Sequence, residues 1–405
     1  MWVFLFAMAA TLAVANSASA QDFPAPTNRN HSIDLHTGSA IGSAKIIGMG
    51  GAATAIAQGS PGMLSNVAAA GVRPATSNDT WDWDWHIDSL TSDFGNDFDN
   101  NGIETEERSF TPSFTGGLVV YYKHWGLGIT FLSQEAKNSL SASGTQSEIL
   151  STSTQGNFAL SRSFWRGQVA VAIGVRTIDL DVQRTENPSD SSSNAEALLS
   201  LQGEQYNLAA VWKPERHNIR LGLQLSPPVL SDKIAEGCDP LDCFGYILPN
   251  KAKAPWILAT GFAYRHKGSQ WNQNVKDHWR DERSLILAAD LVVTGTTKNG
   301  VGLQAFTLHQ LQPSGRSVSF SLRGGAQYEW LPGRLRVRAG SYWEGSRFLD
   351  PNNTPITGRI HLTTGFDLRI WSFGFWNNPY RVKLSFAADF ARQFGNSGLS
   401  LGLWH

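Results

Sequence analysis

Residues 80–90 read TWDWDWHIDSL, with Trp81, Trp83, Trp85 and Ile87 alternating with Asp82, Asp84, His86 and Asp88. Successive side chains of a β-strand point to opposite faces, so one face carries three indoles and the other carboxylates and an imidazole. Two surroundings accept such a strand. Either the indoles pack on the core of a soluble sheet protein, or they face lipid while the acids point into a wet lumen or against a plug.

The rest of the chain favours lipid. Segments with alternating apolar positions recur to the C-terminus, among them Leu127, Ile129 and Phe131, then Val169, Val171, Ile173 and Val175, then Ile219, Leu221, Leu223 and Leu225. They amount to about fourteen strands, with GVGLQAFTLHQL left outside the count. The shift of phase from Val175 to Ile178, Leu180 and Val182 predicts a bulge. Counted from the Trp strand, connections one, three, five, seven, nine and eleven are long and polar, whereas two, four, six and ten are tight. Outer-membrane barrels have short periplasmic turns and long outer loops, and a sandwich has no reason to sort loops by parity. The fold expected is an all-β transmembrane antiparallel barrel of about fourteen strands. Two connections break the rule: RHKGSQWNQNVKDHWRDER falls on the short-turn side and is long, and the last loop, between the final two strands, is short.

Composition closes other routes. No internal run approaches the roughly 20 apolar residues of a membrane helix. Lys and Arg (33) balance Asp and Glu (34) and are scattered, which gives no footprint for nucleic acid. The first 20 residues are apolar and end in Ala18-Ser19-Ala20, the pattern of a signal peptide cleaved after Ala20. No basic segment precedes the apolar run, which leaves the true translation start open. The expected organisation is a signal peptide at 1–20, an N-terminal extension and plug at 21–79, and a barrel at 80–405. Export places the two cysteines, Cys238 and Cys243, in an oxidising compartment, where they suit a loop disulfide contributing about 2 kcal/mol.

The segment KIIGMGGAATAIAQGSPGMLSNVAAAG, residues 45–71, is rich in Gly and Ala and almost free of charge. It resembles the N-terminal hatch of the FadL-type outer-membrane transporters of hydrophobic compounds. LPNKAKAPWILATGFAYR, LAADLVV and LRGGAQYEWLPGRLRVRAGSYW are similar to later pieces of that family. The resemblance implies a hatch-plugged barrel in the outer membrane of a Gram-negative bacterium. Its partners would be outer-membrane lipids, a fatty-acid-like or aromatic ligand, and the barrel-assembly machinery, with the barrel itself monomeric. Ligand would enter from outside and leave laterally beside a kinked early strand. The residues matching the hatch and gate are Gly48, Gly50, Gly51, Asn66 and Val67, with Gly126 and Gly128 in the third strand permitting the bend. Val67 stands where the family has Pro, which puts the contact between hatch and strand in question.

DFDNNGIETEER, residues 97–108, opens like a calcium loop, with Asp97, Asp99 and Asn101 at alternate positions and Gly102 for the turn. Ile103 would offer its carbonyl and Glu107 a displaced carboxylate, so Ca2+ in the first outer loop is the one cofactor considered; a solvated acidic loop is the competing reading. No G-x-S-x-G or His-x-x-Glu-His motif occurs and the histidines are dispersed, so an enzyme is not expected. The alternative to a transporter is a non-transporting barrel that serves as a scaffold, secretion partner or adhesin.

Overall fold

The computed structural model describes residues 23–404 apart from 37, 40–41, 78–79, 95–96, 98, 104–110, 143–144, 187–193, 232–233, 236–237, 276–277 and 376–377. The signal-peptide reading and Glu107 lie outside the described residues. Fourteen strands form the wall: β1 Trp81–Phe94, β2 Thr111–Tyr122, β3 Trp125–Ala142, β4 Thr145–Phe164, β5 Val169–Glu186, β6 Ala195–Trp212, β7 Ile219–Ser226, β8 Ile257–His266, β9 Leu285–Thr294, β10 Ser319–Leu331, β11 Leu335–Glu344, β12 Arg359–Phe375, β13 Asn378–Ala391 and β14 Phe394–Leu403. Each pairs antiparallel with the next in sequence, and β1 pairs with β14 from His86↔Gly402 to Phe94↔Gly395. The ring is closed. Every wall strand has a neighbour on both sides, as a wall immersed in hydrocarbon requires.

The outside is apolar. Leu118, Val120, Leu127, Ile129, Ile173 and Leu208 are among the large hydrophobics exposed on the wall. Exposed Tyr122, Trp125, Trp165, Trp212, Trp330 and Trp371 gather at the end with the tight turns. Phe114, packed on Phe131 at 5.5 Å, marks the other girdle. From Phe114 to Tyr122, β2 spans nine residues, matching the 9–11 that a tilted strand needs to cross a bilayer.

The third connection is not a long loop. β3 and β4 remain paired from Trp125↔Arg162 to Ala142↔Thr145, so the Ser/Thr-rich stretch is a hairpin standing above the apolar belt. Outside lipid its outer face needs no apolar residues, while its inner face meets the lid through Ile149 and through Asn138 Nδ2, which donates to Thr307 Oγ1 at 2.8 Å. The bulge expected near Val175 is also absent: β5 pairs with β4 without a shift from Ser147↔Glu186 to Phe164↔Val169. What changes is the side on which the apolar residues lie. Val171 and Ile173 are exposed to lipid, whereas Ile178, Leu180 and Val182 are buried in the interior. The register shift between β5 and β6 comes higher, at Val182/Gln183.

GVGLQAFTLHQL is not a wall strand. Gly300–Val301 joins a small inner sheet and Leu303–Thr307 is a short helix, α1. In that sheet Ser32–Asp34 lies parallel to both Lys251–Ala254 and Gly300–Val301. With α1 it forms a lid at the long-loop end, packed as Ile33, Leu180, Val182, Leu199, Tyr246, Val301 and Phe306. Asp34 ties the lid to the wall, accepting from Ser314 Oγ at 2.7 Å and Thr297 Oγ1 at 3.1 Å and pairing with buried Arg347 at 3.2 Å. Cys238 and Cys243 are joined beside it, with Cα atoms 5.2 Å apart.

Candidate functional site

Below the lid, residues 44–72 run inside the ring as two short helical turns (Ala44–Gly48 and Gly59–Gly62) and a 3-10 turn (Val67–Gly71). Small residues permit this. A Cβ on Gly126 would overlap the Ala70 carbonyl oxygen, and one on Gly128 the Met63 sulfur. Gly222, Gly261, Gly325 and Gly340 meet the backbone of Thr54, Ala55, Met49 and Gly50 in the same way. Wall glycines therefore admit the inner backbone to direct contact.

β3 shows no register shift at Gly126 and Gly128. The strand keeps register with β2 from Ser113↔Gln134 to Tyr122↔Trp125, and with β4 along its whole length. A lateral exit there requires one of these ladders to part.

The inward acids of β1 hold the inner segment, as their pattern allowed. Asp84 accepts from Ser60 N at 2.6 Å, and Asp88 accepts from Ala44 N at 3.1 Å and Thr115 Oγ1 at 2.8 Å. Asp290 on β9 accepts from Ala53 N at 2.8 Å and Thr54 N at 2.7 Å. Asp82 instead takes the Tyr380 hydroxyl at 2.7 Å. Carboxylates at backbone N–H groups form the stronger, charge-assisted kind of hydrogen bond. Asp290 escaped the sequence reading, although it sits in the quoted LAADLVV.

Asn66 caps the 3-10 turn, accepting from Ala68 N at 2.9 Å, and its amide donates to Thr54 O at 3.0 Å and to Ala210 O at 3.3 Å on β6. Val67 N donates to Gln224 Oε1 on β7 at 2.9 Å. The contact questioned at this position exists, and it uses the N–H that a proline would lack. Gly50 and Gly51 have φ of +61° and +72°, and Gly48 faces Gly365 and Arg338, so these glycines serve turn geometry and close packing.

The acidic loop folds inward. Both oxygens of Asp97 accept backbone N–H groups, from Asn101 at 2.8 Å and Gly102 at 2.9 Å, and Asn101 Oδ1 accepts from Ile103 N at 2.7 Å. Arg359 Nη1 donates to Asp97 O at 2.6 Å, and Ile103 is buried with Phe23 and Ala305. Burial pushes the Asp99 carboxyl well above the usual range, with the neighbouring Asp97 adding to it. The Asp97 carboxylate and the Asn101 amide oxygen are thus spent on the loop's own backbone, whereas Asp99 Oδ2 faces the Asn101 amide at 3.4 Å. Among the described residues no three His, Cys, Asp or Glu form a metal cluster.

A Ser–His–Asp grouping does occur. His86 Nδ1 lies 2.8 Å from Ser60 Oγ, and its Nε2 lies 3.5 Å from Asp88. All three are buried, Ser60 completely, and none lines the chamber described next. Asp88 is already committed to Ala44 and Thr115, so the trio anchors the inner segment.

Beneath the inner segment, at the tight-turn end, lies a chamber of about 600 Å³. Its floor is the long connection that broke the loop rule. Asn272 donates to Pro214 O, His217 O and Ile219 O, Val275 N donates to Ala75 O, and Asp281 pairs with Arg381 at 2.5 Å. The connection is long because it straps the mouth from β7 to β13. The chamber wall carries eleven Lys or Arg and two Glu.

No protein-family model matches this chain, and no curated protein matches it by sequence. Solved structures do. It is similar to the Pseudomonas putida toluene transporter TodX at 13% identity and a TM-score of 0.52, covering 92% of this chain and 99% of that one. It is also similar to a Pseudomonas aeruginosa FadL homologue, at 13% identity, TM-score 0.50 and 92% and 99% coverage. The Ralstonia pickettii toluene transporter TbuX matches at 12% identity, TM-score 0.50 and 90% and 97% coverage. The likeness is one of fold: this chain is a closed fourteen-stranded antiparallel barrel, built like those solved structures.

Proposed function

We propose that this protein is an outer-membrane channel for the uptake of hydrophobic small molecules, with residues 45–71 acting as its hatch. The observation that supports it most is the way this segment is held. It fills the ring against glycines and is fixed by a countable set of hydrogen bonds that its own N–H groups donate to Asp84, Asp88, Asp290, Gln224 and the Ala210 carbonyl. Most of its side chains are small, so rearrangement exchanges these bonds and parts a limited set of larger contacts, such as those of Met63 and Val67 with Tyr121 and Val211. A hydrophobic solute gains about 0.8 kcal/mol per buried methylene, so it partitions from water into an apolar lid and passes inward when the hatch shifts. The similarity to toluene transporters supports the same class of cargo.

Release follows either a local parting of the β2–β3 or β3–β4 ladder or descent into the basic chamber. The test is uptake of radiolabelled toluene and of a long-chain fatty acid by cells expressing the chain. We expect at least a threefold gain over cells with an empty vector; no gain for either compound overturns the reading. A scaffold or adhesin role draws its support from the disulfide loop, where Leu241 (62% exposed) and Phe244 stand out from the lid. Barrels that take up neither compound but pull down a protein through this loop would establish that role instead.

A further inference from the structure

The charge of the chamber exceeds what its neighbours neutralise. Some cations are matched. Arg265 pairs with Glu282 at 2.9 Å and Arg336 with Glu329 at 2.8 Å, while Arg338 and Lys383 share Asp367. Four are not. Lys45 of the inner segment reaches only the Ile56 carbonyl, at 3.4 Å. Arg220 donates to Asn272 Oδ1 at 2.8 Å and stacks 4.0 Å over the Trp271 ring. Arg280 donates to the Trp271 carbonyl at 2.8 Å and to Gln273 O. Lys213 has no side-chain partner among the described residues, and none of the four has a carboxylate within ion-pair distance.

These groups feel one another. Burial, with Arg220 and Arg280 adding to it, draws the Lys213 ammonium down to about 7; burial also lowers Lys45, with Lys383 and Arg220 among the cations that add to it. Cations converging in an enclosed, protein-walled space focus their field on it and attract counter-ions of opposite sign. The guanidinium groups add forked donors suited to oxyanions, and the ammonium groups add point charges. A chamber of about 600 Å³ falls within the usual range for small-molecule sites.

We propose that this chamber is a binding site for a small, multiply charged oxyanion, of phosphate or polycarboxylate type, entering from the tight-turn side. Its seat is shared between the inner segment, through Lys45, and the wall and strap, through Lys213, Arg220 and Arg280. A bound anion bridges plug and barrel, and its affinity depends on where the plug sits. The proposal does not require the barrel to transport anything.

The test is calorimetric titration of the whole chain in uncharged detergent at pH 6.5 and fixed ionic strength. Inorganic phosphate, succinate and chloride are the probes. Phosphate or succinate should bind at least tenfold more tightly than chloride. Tight binding of phosphate alone identifies a phosphoryl group, and of both probes a general dianion site. Lys213→Met with Arg220→Gln should weaken the better probe at least tenfold. Lys45→Met, which alters the plug and not the strap, is the second variant and should weaken it at least threefold. Equal affinity for all three probes, or affinity unchanged in both variants, overturns the proposal.

Discussion

The two ends of this barrel have opposite interiors. At the long-loop end the space is filled and apolar, with Ile33, Leu180, Leu199 and Phe306 packed beneath the lid. At the tight-turn end it is open and basic, with eleven cations around about 600 Å³. Between them the inner segment lies on glycines. The contrast shows that one strand serves three environments in turn. β5 presents Val171 and Ile173 to lipid, lays Gly174 against Val67 of the plug, and then turns Leu180 and Val182 into the lid core. Its backbone never leaves register with β4 while the apolar side changes face. The level at which the outward positions become Thr177, Asp179 and Asp181 marks where lipid ends.

The largest effect should come from removing what separates the ends. Deletion of residues 45–71 takes away the plug between lid and chamber, and single-channel conductance in planar bilayers should rise at least tenfold. An unchanged conductance would mean that these residues do not occlude the lumen. Next come paired substitutions on the two faces of β5. Ile173→Arg puts a charge against lipid and should cost about 2–4 kcal/mol in reversible urea unfolding from vesicles. Leu180→Arg should leave insertion intact while exposing the lid loops to protease, since the side chain it replaces is 1% exposed in the lid core. The same outcome for both variants would erase the distinction between the faces. Val67→Pro removes the N–H bonded to Gln224 and should lower stability by about 1 kcal/mol, read as a shifted denaturation midpoint. The smallest signal is a titration. A ¹³C-dimethylated Lys213 should titrate near pH 7. Its ordinary value of 10.5 is lowered in the native state, so between about pH 7 and 10.5 the unfolded chain holds the extra proton. This group's contribution to stability therefore rises with pH across that window, and its penalty is complete below it. A resonance titrating near 10.5 would place Lys213 in open water.

Much of this was legible from period and loop length. The alternation around Trp81 correctly assigned Asp84 and Asp88 to the inside, and the recurring pattern yielded the fourteen strands. The failures share a cause: a pattern names a face without naming its surroundings. The apolar positions at Ile178, Leu180 and Val182 imitated a bulge because the lid substitutes for lipid on the other side. The Ser/Thr hairpin passed for a loop because strands above the membrane need no apolar outer face. The bonds that Ala53 N and Thr54 N donate to Asp290 join residues 237 and 236 positions apart, which no local spacing reveals. The basic chamber was hidden for the same reason. Lys45, Lys213, Arg220 and Arg280 stand on separate segments and meet only when the ring closes.

The path of the inner segment also limits how this molecule can open. Ser32–Asp34 is stitched into the lid at one mouth, and the same chain leaves the other mouth to become β1 at Trp81. A polypeptide secured at both gates cannot swing free of the cylinder like a cork. While that lid pairing holds, whatever passes must slip by a cord that stays threaded.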